Sequence, residues 1–430
     1  MSGDLEHRFD PSRSFAEKLD AEDRLARCRD LFHLPESRFG RERLYFVGNS
    51  LGLQPKDTRS AVEEEVEAWA RFAVDAHFEG THPWFAYHET CRDTSARLVG
   101  ATPGEVVMMN SLTTNLHLML ASFYHPRGAR RKILVDPFSF PSDTYALKSW
   151  IAQRGGVPDE LLLTIEPANG SFVVSTDEIV ETIRKTGDEL SLVMMSGVNY
   201  FTGQCFDLEA ITTAAHRQGA QAGFDLAHAA GNVQLSLHDW NVDFAVWCTY
   251  KYLNSGPGAV AGCFVHERFA RKPELPRLAG WWGHDPDTRF QMHLQPDFSP
   301  QPGAAGWQVS NPPVLALAPV RVSLQIFDDV GMPALRQKSI ALTGYLDRLL
   351  REAQIGGLEI LTPADAESRG CQLSLRFEQA AKTIFDRLQR MDVVADLRAP
   401  DVIRVAPVPL YNRYVDVWDF VQRLCECVGT

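Results

Sequence analysis

The chain has 430 residues, 45% hydrophobic and 23% charged, which is enough to bury a large core without cross-links and suggests two or three domains. Its net charge of −12 gives no long-range attraction for nucleic acid or anionic membranes, so an anion must be held by a local site. No run approaches ~18 apolar residues, and the polar start MSGDLEHRFDPSRSF lacks the apolar centre of a secretory signal. The eight cysteines (28, 91, 205, 248, 263, 371, 425 and 427) form neither a CxxC pair nor a zinc-spaced cluster, so the expected location is the cytoplasm.

In chain order, residues 15–31 carry charged and apolar groups at helical spacing, 44–52 reads as a short strand with a Gly/Asn turn, and 58–76 reads as a second helix. From about 104 to 265 short apolar runs alternate with amphipathic stretches. The runs lie at 105–109, 132–135, 192–195, 222–225, 244–248 and 259–265. Ser175 followed by Glu178 is a capping box that opens a helix near 176–186, and 208–216 reads as another helix, ended by Gly219. The basic cluster Arg127, Arg130, Arg131 and Lys132 reads as solvated charge before a strand. Strands alternating with helices predict an α/β fold with a mostly parallel sheet.

Residues 270–313 are rich in Pro, Gly and Trp and have little periodicity. A loop this long inside a compact protein is usually functional, and Trp281, Trp282, Trp307 and Asn311 favour that reading. A helical stretch runs from 314 to about 353. A βαβ-like set follows, with strands at 371–377, 393–397 and 402–405 and a helix reaching about 390. The expected division is an N-terminal segment, 1–60, joining a small C-terminal α/β domain, 316–430, with a large domain at 61–315 between them.

Two segments carry the chemistry. Phe224-Asp225-Leu226-Ala227-His228 is a strand ending in an acid, and the apolar run VDFAVWC leads into Thr249-Tyr250-Lys251. Pyridoxal phosphate (PLP) needs a lysine for a Schiff base, a carboxylate to keep its pyridine nitrogen protonated, and donors for its phosphate. Asp225 and Lys251 both fall at strand carboxyl ends, where open α/β sheets collect ligands. Asn110-Ser111-Leu112-Thr113-Thr114 ends a strand and opens a helix, whose free N–H groups suit a phosphate. Phe140, just after the strand at 132–135, could stack on the ring.

Several runs resemble the kynureninase family. They are GFDLAHAAGNVQLSLHDWNVDFAVWCTYKYLNSGPGAVAG (223–262), SGVNYFTGQ (196–204), FPSD (140–143), SLTTNLHLML (111–120), GWWGH (280–284), SNPP (310–313) and RVAPVPLYN (404–412), spread over about residues 45–413. The resemblance implies a PLP-dependent transferase fold of type I. It also implies a homodimer with active sites at the subunit interface, and no nucleic-acid or membrane partner. It assigns the Schiff base to Lys251 and the pyridinium partner to Asp225. His228 then lies near the ring, with Phe140 stacked on it. Leu112 and Thr113 take the phosphate, and Ser142, Asp143, Ser196 and Tyr250 complete the cofactor contacts, with Tyr250 also a proton relay. Arg404 would grip the substrate α-carboxylate, and Trp281 and Asn311 would reach in from the partner subunit. His77, Ser310 and Asn311 match the selecting positions, and their polar groups favour 3-hydroxykynurenine.

The implied reaction is hydrolysis of L-kynurenine, L-3-hydroxykynurenine or both to the aryl acid and L-alanine, within tryptophan catabolism or NAD biosynthesis. The rivals are another type I PLP enzyme, such as an aminotransferase or a desulfurase, and a catalytically silent PLP-fold binding protein. A desulfurase needs a reactive cysteine on a mobile loop, and 270–313 contains none. A silent protein would have lost Lys251 or Asp225.

Overall fold

A computed structural model describes residues 9–270, 272 and 274–429. After β1 (Leu44–Tyr45), the six apolar runs become β2 (Val106–Met108), β3 (Lys132–Val135), β5 (Leu190–Ser196), β6 (Gln221–Asp225), β7 (Phe244–Trp247) and β8 (Gly262–Val265), and a further strand that no run foretold, β4 (Leu162–Thr164), lies between β3 and β5 in the chain. The last seven form one sheet in the order β2-β8-β7-β6-β5-β3-β4. Strands β7, β6, β5, β3 and β4 run parallel, and β8 is antiparallel to both β7 and β2.

Alternate strand residues enter two different cores, as the two-residue period of a strand requires. Ile133, Val135, Leu192 and Met194 pack with the helices Leu112–Phe123 and Pro141–Gln153. Leu134, Val193, Met195 and Phe224 pack on the other face with Thr176–Thr186, Leu208–Arg217 and Val314–Val330. The capping box of Ser175 and Glu178 is present, with both reciprocal bonds made. β4 lies outside β3, whereas β5, β6 and β7 step away on its other side. The chain direction across the sheet therefore reverses between β3 and β5, which opens a crevice at their carboxyl ends.

A third core holds β9 (Glu359–Ile360), β10 (Leu373–Arg376), β11 (Val393–Val394), β12 (Asp396–Arg398) and β13 (Val402–Val405). Here the expectation of a βαβ-like set is corrected. The helix Ala381–Arg390 leads from β10 to β11, but β11 pairs in parallel with β1. The sheet β12-β13-β10-β9 is antiparallel throughout, because β12 and β13 return as a hairpin. The N-terminal helix Arg13–Glu22 packs on this core through Ala16, with Phe15 and Leu19 beside it.

Three expected helices are broken, the stretch 58–76 at Ala73, whose φ is 49°. The stretch 15–31 ends its helix at Glu22, because the Asp23 carboxylate accepts the Leu25 amide at 2.9 Å and pairs with buried Lys338 at 2.8 Å. The stretch 314–353 breaks at Gly331, whose φ is 81°. Before that glycine, Leu317, Val320 and Leu324 pack on the large sheet. After it, Leu335 still packs with the large sheet, and Leu342, Leu346 and Leu349 pack on the small one. Two of the basic cluster's side chains are engaged rather than merely solvated: Arg130 donates to the Leu190 carbonyl at 2.5 Å, and Lys132 pairs with Glu189 at 2.6 Å. The described residues from 274 to 313 form short 3-10 turns and a bridge between His284 and Pro300, and among the described residues no helix is long and apolar enough to cross a membrane.

Candidate active site

Strands β3, β5, β6 and β7 end side by side, and each delivers a polar residue to one cavity: Asp136, Ser196, Asp225 and, just past β7, Tyr250 and Lys251. Two helix N-termini close it from the same end, one through Leu112 and Thr113 and the other through Phe140 and Asp143.

Lys251 lies in a turn, with its Nζ 3.1 Å from His228 Nε2 and 5.8 Å from the centre of the Phe140 ring. The turn is braced from outside: the Gly52 amide donates to the Tyr250 carbonyl at 2.8 Å. A Cβ on Gly52 would stand 2.3 Å from the Lys251 carbonyl, so only glycine allows the N-terminal segment this close. Burial, then the positive charges of Lys251, Arg404 and Arg398, push the His228 pKa well down, so its imidazole is neutral and can accept from Lys251.

Three acids meet beside it. Asp225 Oδ1 accepts the Ala227 amide at 2.7 Å. Asp143 is buried, its Oδ1 has no partner, and burial followed by the Asp225 carboxylate raises its pKa well above the usual range. Asp136 was not singled out in the sequence. It accepts the Ser196 amide at 3.0 Å, the Ser196 hydroxyl at 2.5 Å, Asn199 Nδ2 at 2.8 Å and the Ser139 hydroxyl at 3.1 Å. It thereby fixes the segment that leaves β5, although a strand-end Asp without a lysine partner is only a weak signal. Ser142 does not line the cavity, but its Oγ lies 3.0 Å from Thr113 Oγ1 and supports that side chain.

This donor set suits PLP. A raised acid with a free oxygen next to Asp225 calls for a shared proton, which a pyridinium N–H supplies. The Leu112–Thr113 helix turn offers free amides to a phosphate, and the buried His228 Nδ1 lacks a partner.

Arg404 does not line the cavity itself. It is fully buried on β13, directly opposite Asp396 of β12, and its guanidinium pairs with that carboxylate. Its Nη1 donates at 2.6 Å to the carbonyl of Tyr200, a cavity residue to which the sequence alone assigns no role. The Tyr200 ring covers both Arg404 and Arg398, at 5.8 and 5.9 Å, and sits edge-on to Phe140.

The remaining candidates lie elsewhere in the chain. His77 and Asn311 line a separate cavity of about 480 Å³ with Glu65, Trp69, Trp84 and Trp282. His77 Nδ1 is 3.0 Å from the Val74 carbonyl. Ser310 is exposed beside Asn311, and Trp281 packs edge-on to Trp282, 4.7 Å between centres.

Comparison with known proteins gives a consistent result. A family model described as the kynureninase C-terminal domain matches residues 335–424. The kynureninase of Myxococcus xanthus is 54% identical over 416 residues, spanning 97% of both chains. That of Koribacter versatilis is 50% identical over 415 residues, 96% of this chain and 97% of its own. Among solved structures, the cysteine desulfurase of Thermococcus onnurineus superposes with a TM-score of 0.72 at 17% identity, covering 90% of this chain and 95% of that one. A complex of the cystine C–S lyase C-DES with cysteine persulfide gives 0.75 at 17% identity, covering 89% and 97%. At such low identity these structures share the fold and nothing finer.

Proposed function

Because this chain belongs to the kynureninase family, whose members are PLP-dependent hydrolases that cleave kynurenine, we propose that Lys251 is its cofactor-bearing and proton-transferring residue. The observation that carries the reading is the position of Lys251 Nζ, 3.1 Å from a neutral His228 at the carboxyl ends of the parallel strands that also present Asp225 and Ser196.

Bound PLP supplies an electron sink at the substrate's α-carbon. Asp225, with Asp143 beside it, would hold a proton at the pyridine nitrogen. The amides at Leu112 and Thr113 would hold the phosphate and Phe140 would cover the ring, while Ser142, through Thr113, and Ser196, through Asp136, fix the surrounding backbone. Lys251 would hold the cofactor, and as a free amine it would take the Cα proton, with His228 accepting its hydrogen bond. Burial, then neighbouring Cys248, raises the Tyr250 phenol pKa, so it stays protonated and can return a proton. Arg404, aimed by Asp396 and the Tyr200 carbonyl, attracts the α-carboxylate. Water adds to the side-chain ketone and the Cβ–Cγ bond breaks, giving anthranilate or 3-hydroxyanthranilate with L-alanine.

The reading includes a cytoplasmic homodimer acting in tryptophan catabolism or NAD biosynthesis. Support for shared sites is that His77, Trp281, Ser310 and Asn311 do not line the cavity around Lys251. They occupy a surface with exposed Trp69, Phe78, Phe290, Leu294 and Leu315, apolar area that a second copy would cover. The same polar side chains would face the aryl ring across that contact and favour 3-hydroxykynurenine.

The test is a visible spectrum of the purified protein, then addition of each substrate with product analysis. An aldehyde–lysine absorbance that Lys251→Ala abolishes, with aryl acid and alanine released and a higher kcat/KM for 3-hydroxykynurenine, is the expected result. A wild-type-like spectrum in Lys251→Ala overturns the assignment of Lys251, and a clear advantage for kynurenine overturns the preference.

A further inference from the structure

Glu105, His238 and His266 converge at the opposite end of the large sheet, away from Lys251. Glu105 ends a 3-10 turn just before β2, His238 lies in the turn before β7, and His266 follows β8. Strand β7 begins near this cluster and ends at the catalytic turn, so the two sites lie at opposite ends of it.

The Glu105 carboxylate is completely buried, and its orientation is fixed by the Thr102 amide at 2.8 Å, the Thr102 hydroxyl at 2.9 Å and the Glu267 amide at 2.8 Å. Its Oε1 faces His238 Nδ1 at 3.0 Å and His266 Nδ1 at 3.6 Å. The one ligand atom from each residue lies within 4.8 Å of the other two. Ligands bound tetrahedrally at ~2.1 Å stand about 3.4 Å apart, which matches both oxygen–nitrogen separations. The two imidazoles lie nearly parallel, at 16° with centres 5.1 Å apart.

The protonation pattern favours a cation. His266 Nδ1 accepts the Arg268 amide at 3.2 Å, so that nitrogen carries a lone pair and no proton. Two acceptor atoms, His266 Nδ1 and Glu105 Oε1, thus stand 3.6 Å apart in a buried place with no proton between them. A single proton on His238 Nδ1 bonds the carboxylate but not His266. A dication in place of that proton would bind all three atoms at once. The Arg268 amide is the competitor, and the long 3.2 Å contact makes it a weak one. His238 is about a third exposed (side chain 32%), which leaves an approach from solvent.

We propose that Glu105 Oε1, His238 Nδ1 and His266 Nδ1 form a site for one transition-metal dication of the zinc class, with two imidazoles, one carboxylate and solvent as ligands. The metal displaces one proton, from His238, and no redox step is involved. Its role is to clamp the turns at 102–105, 236–241 and 266–269 onto one end of the sheet.

The experiment uses chelator-treated, PLP-loaded enzyme titrated with Co2+ and, separately, Zn2+. The expected result is one equivalent per chain, a Co2+ spectrum with nitrogen/oxygen character and no thiolate charge-transfer band, and a thermal midpoint that rises with Zn2+ concentration. His238→Ala and His266→Ala, both outside the catalytic machinery, should keep kynurenine cleavage and weaken the metal at least about tenfold. Absence of stoichiometric binding overturns the proposal and leaves a proton-bridged clamp. Equal affinity in wild type and His238→Ala overturns it by moving the metal elsewhere, and a thiolate band would direct the search to the cysteines.

Discussion

Lys251 Nζ and His228 Nε2 stand 3.1 Å apart in a cavity where burial and nearby cations keep the imidazole neutral. The role of His228 is therefore that of an acceptor, and its charge has no part in it. His228→Gln keeps an acceptor and should retain more activity than His228→Phe, which removes it. Its kcat/KM profile should follow wild type between about pH 6 and 8, because no imidazolium is lost there. A His228→Phe enzyme as active as His228→Gln would contradict this.

Every group facing the Asp136 carboxylate is a donor, so an amide in its place must turn an NH2 towards N–H or O–H groups. Asp136→Asn should cost about 3 kcal/mol and loosen the segment from Ser196 to Tyr200. Thermal midpoint and PLP retained through gel filtration should fall together. Unchanged retention would mean that Asp136 has no part in shaping the cofactor cavity.

Asp396 is the carboxylate partner of the fully buried Arg404. Removing one member of a buried pair strands the other, at roughly 3–5 kcal/mol. Asp396→Ala should therefore be clearly destabilised. Asp396→Asn, which keeps a hydrogen bond, should raise KM more than it lowers kcat. An unaltered KM would separate Arg404 from substrate binding.

His88 gives a pH dependence of known sign. Burial, then Arg289 and Arg92, lowers its pKa from 6.5 to about 4. As pH falls through 6.5 the unfolded chain takes the proton first, so stability present above 6.5 is lost towards pH 4. The loss is ~3 kcal/mol for a shift of this size. His88→Asn should show a smaller drop in unfolding free energy between pH 7.5 and 4.5 than wild type. An equal drop in both would place the acid sensitivity in other groups.

Shared sites predict complementation. Lys251→Ala and Asn311→Ala should each be weak alone. Denatured and refolded together, they should regain activity, because a mixed dimer can assemble one intact site. No recovery in demonstrably mixed dimers would place Asn311 in its own subunit's site.

Much of the site was legible because its key residues sit at strand ends. Asp225 and Lys251 each follow a buried apolar run, and the parallel sheet brings those ends together. Asp136 follows a similar run, ILV, but nothing local separates it from a helix-capping acid. Arg404 could be placed on a strand, but its contact with Tyr200 depends on packing between the small sheet and the segment after β5. The antiparallel small sheet escaped for a related reason: strand, helix, strand spacing is the same whether the second strand pairs with the first or, as β11 does, with β1. The breaks at Asp23 and Gly331 arise from a buried lysine and a left-handed glycine, neither of which disturbs helical periodicity in the sequence.

The pairing of β1 with β11 joins Leu44 to Val393. During synthesis, at ~5–20 residues per second, the N-terminal segment waits on the order of tens of seconds for that partner to leave the ribosome. Gly52, which braces the lysine turn, belongs to the same segment. The large sheet can therefore assemble while its lysine turn still lacks its outer support, which is in place only once the segment around Val393 has been made.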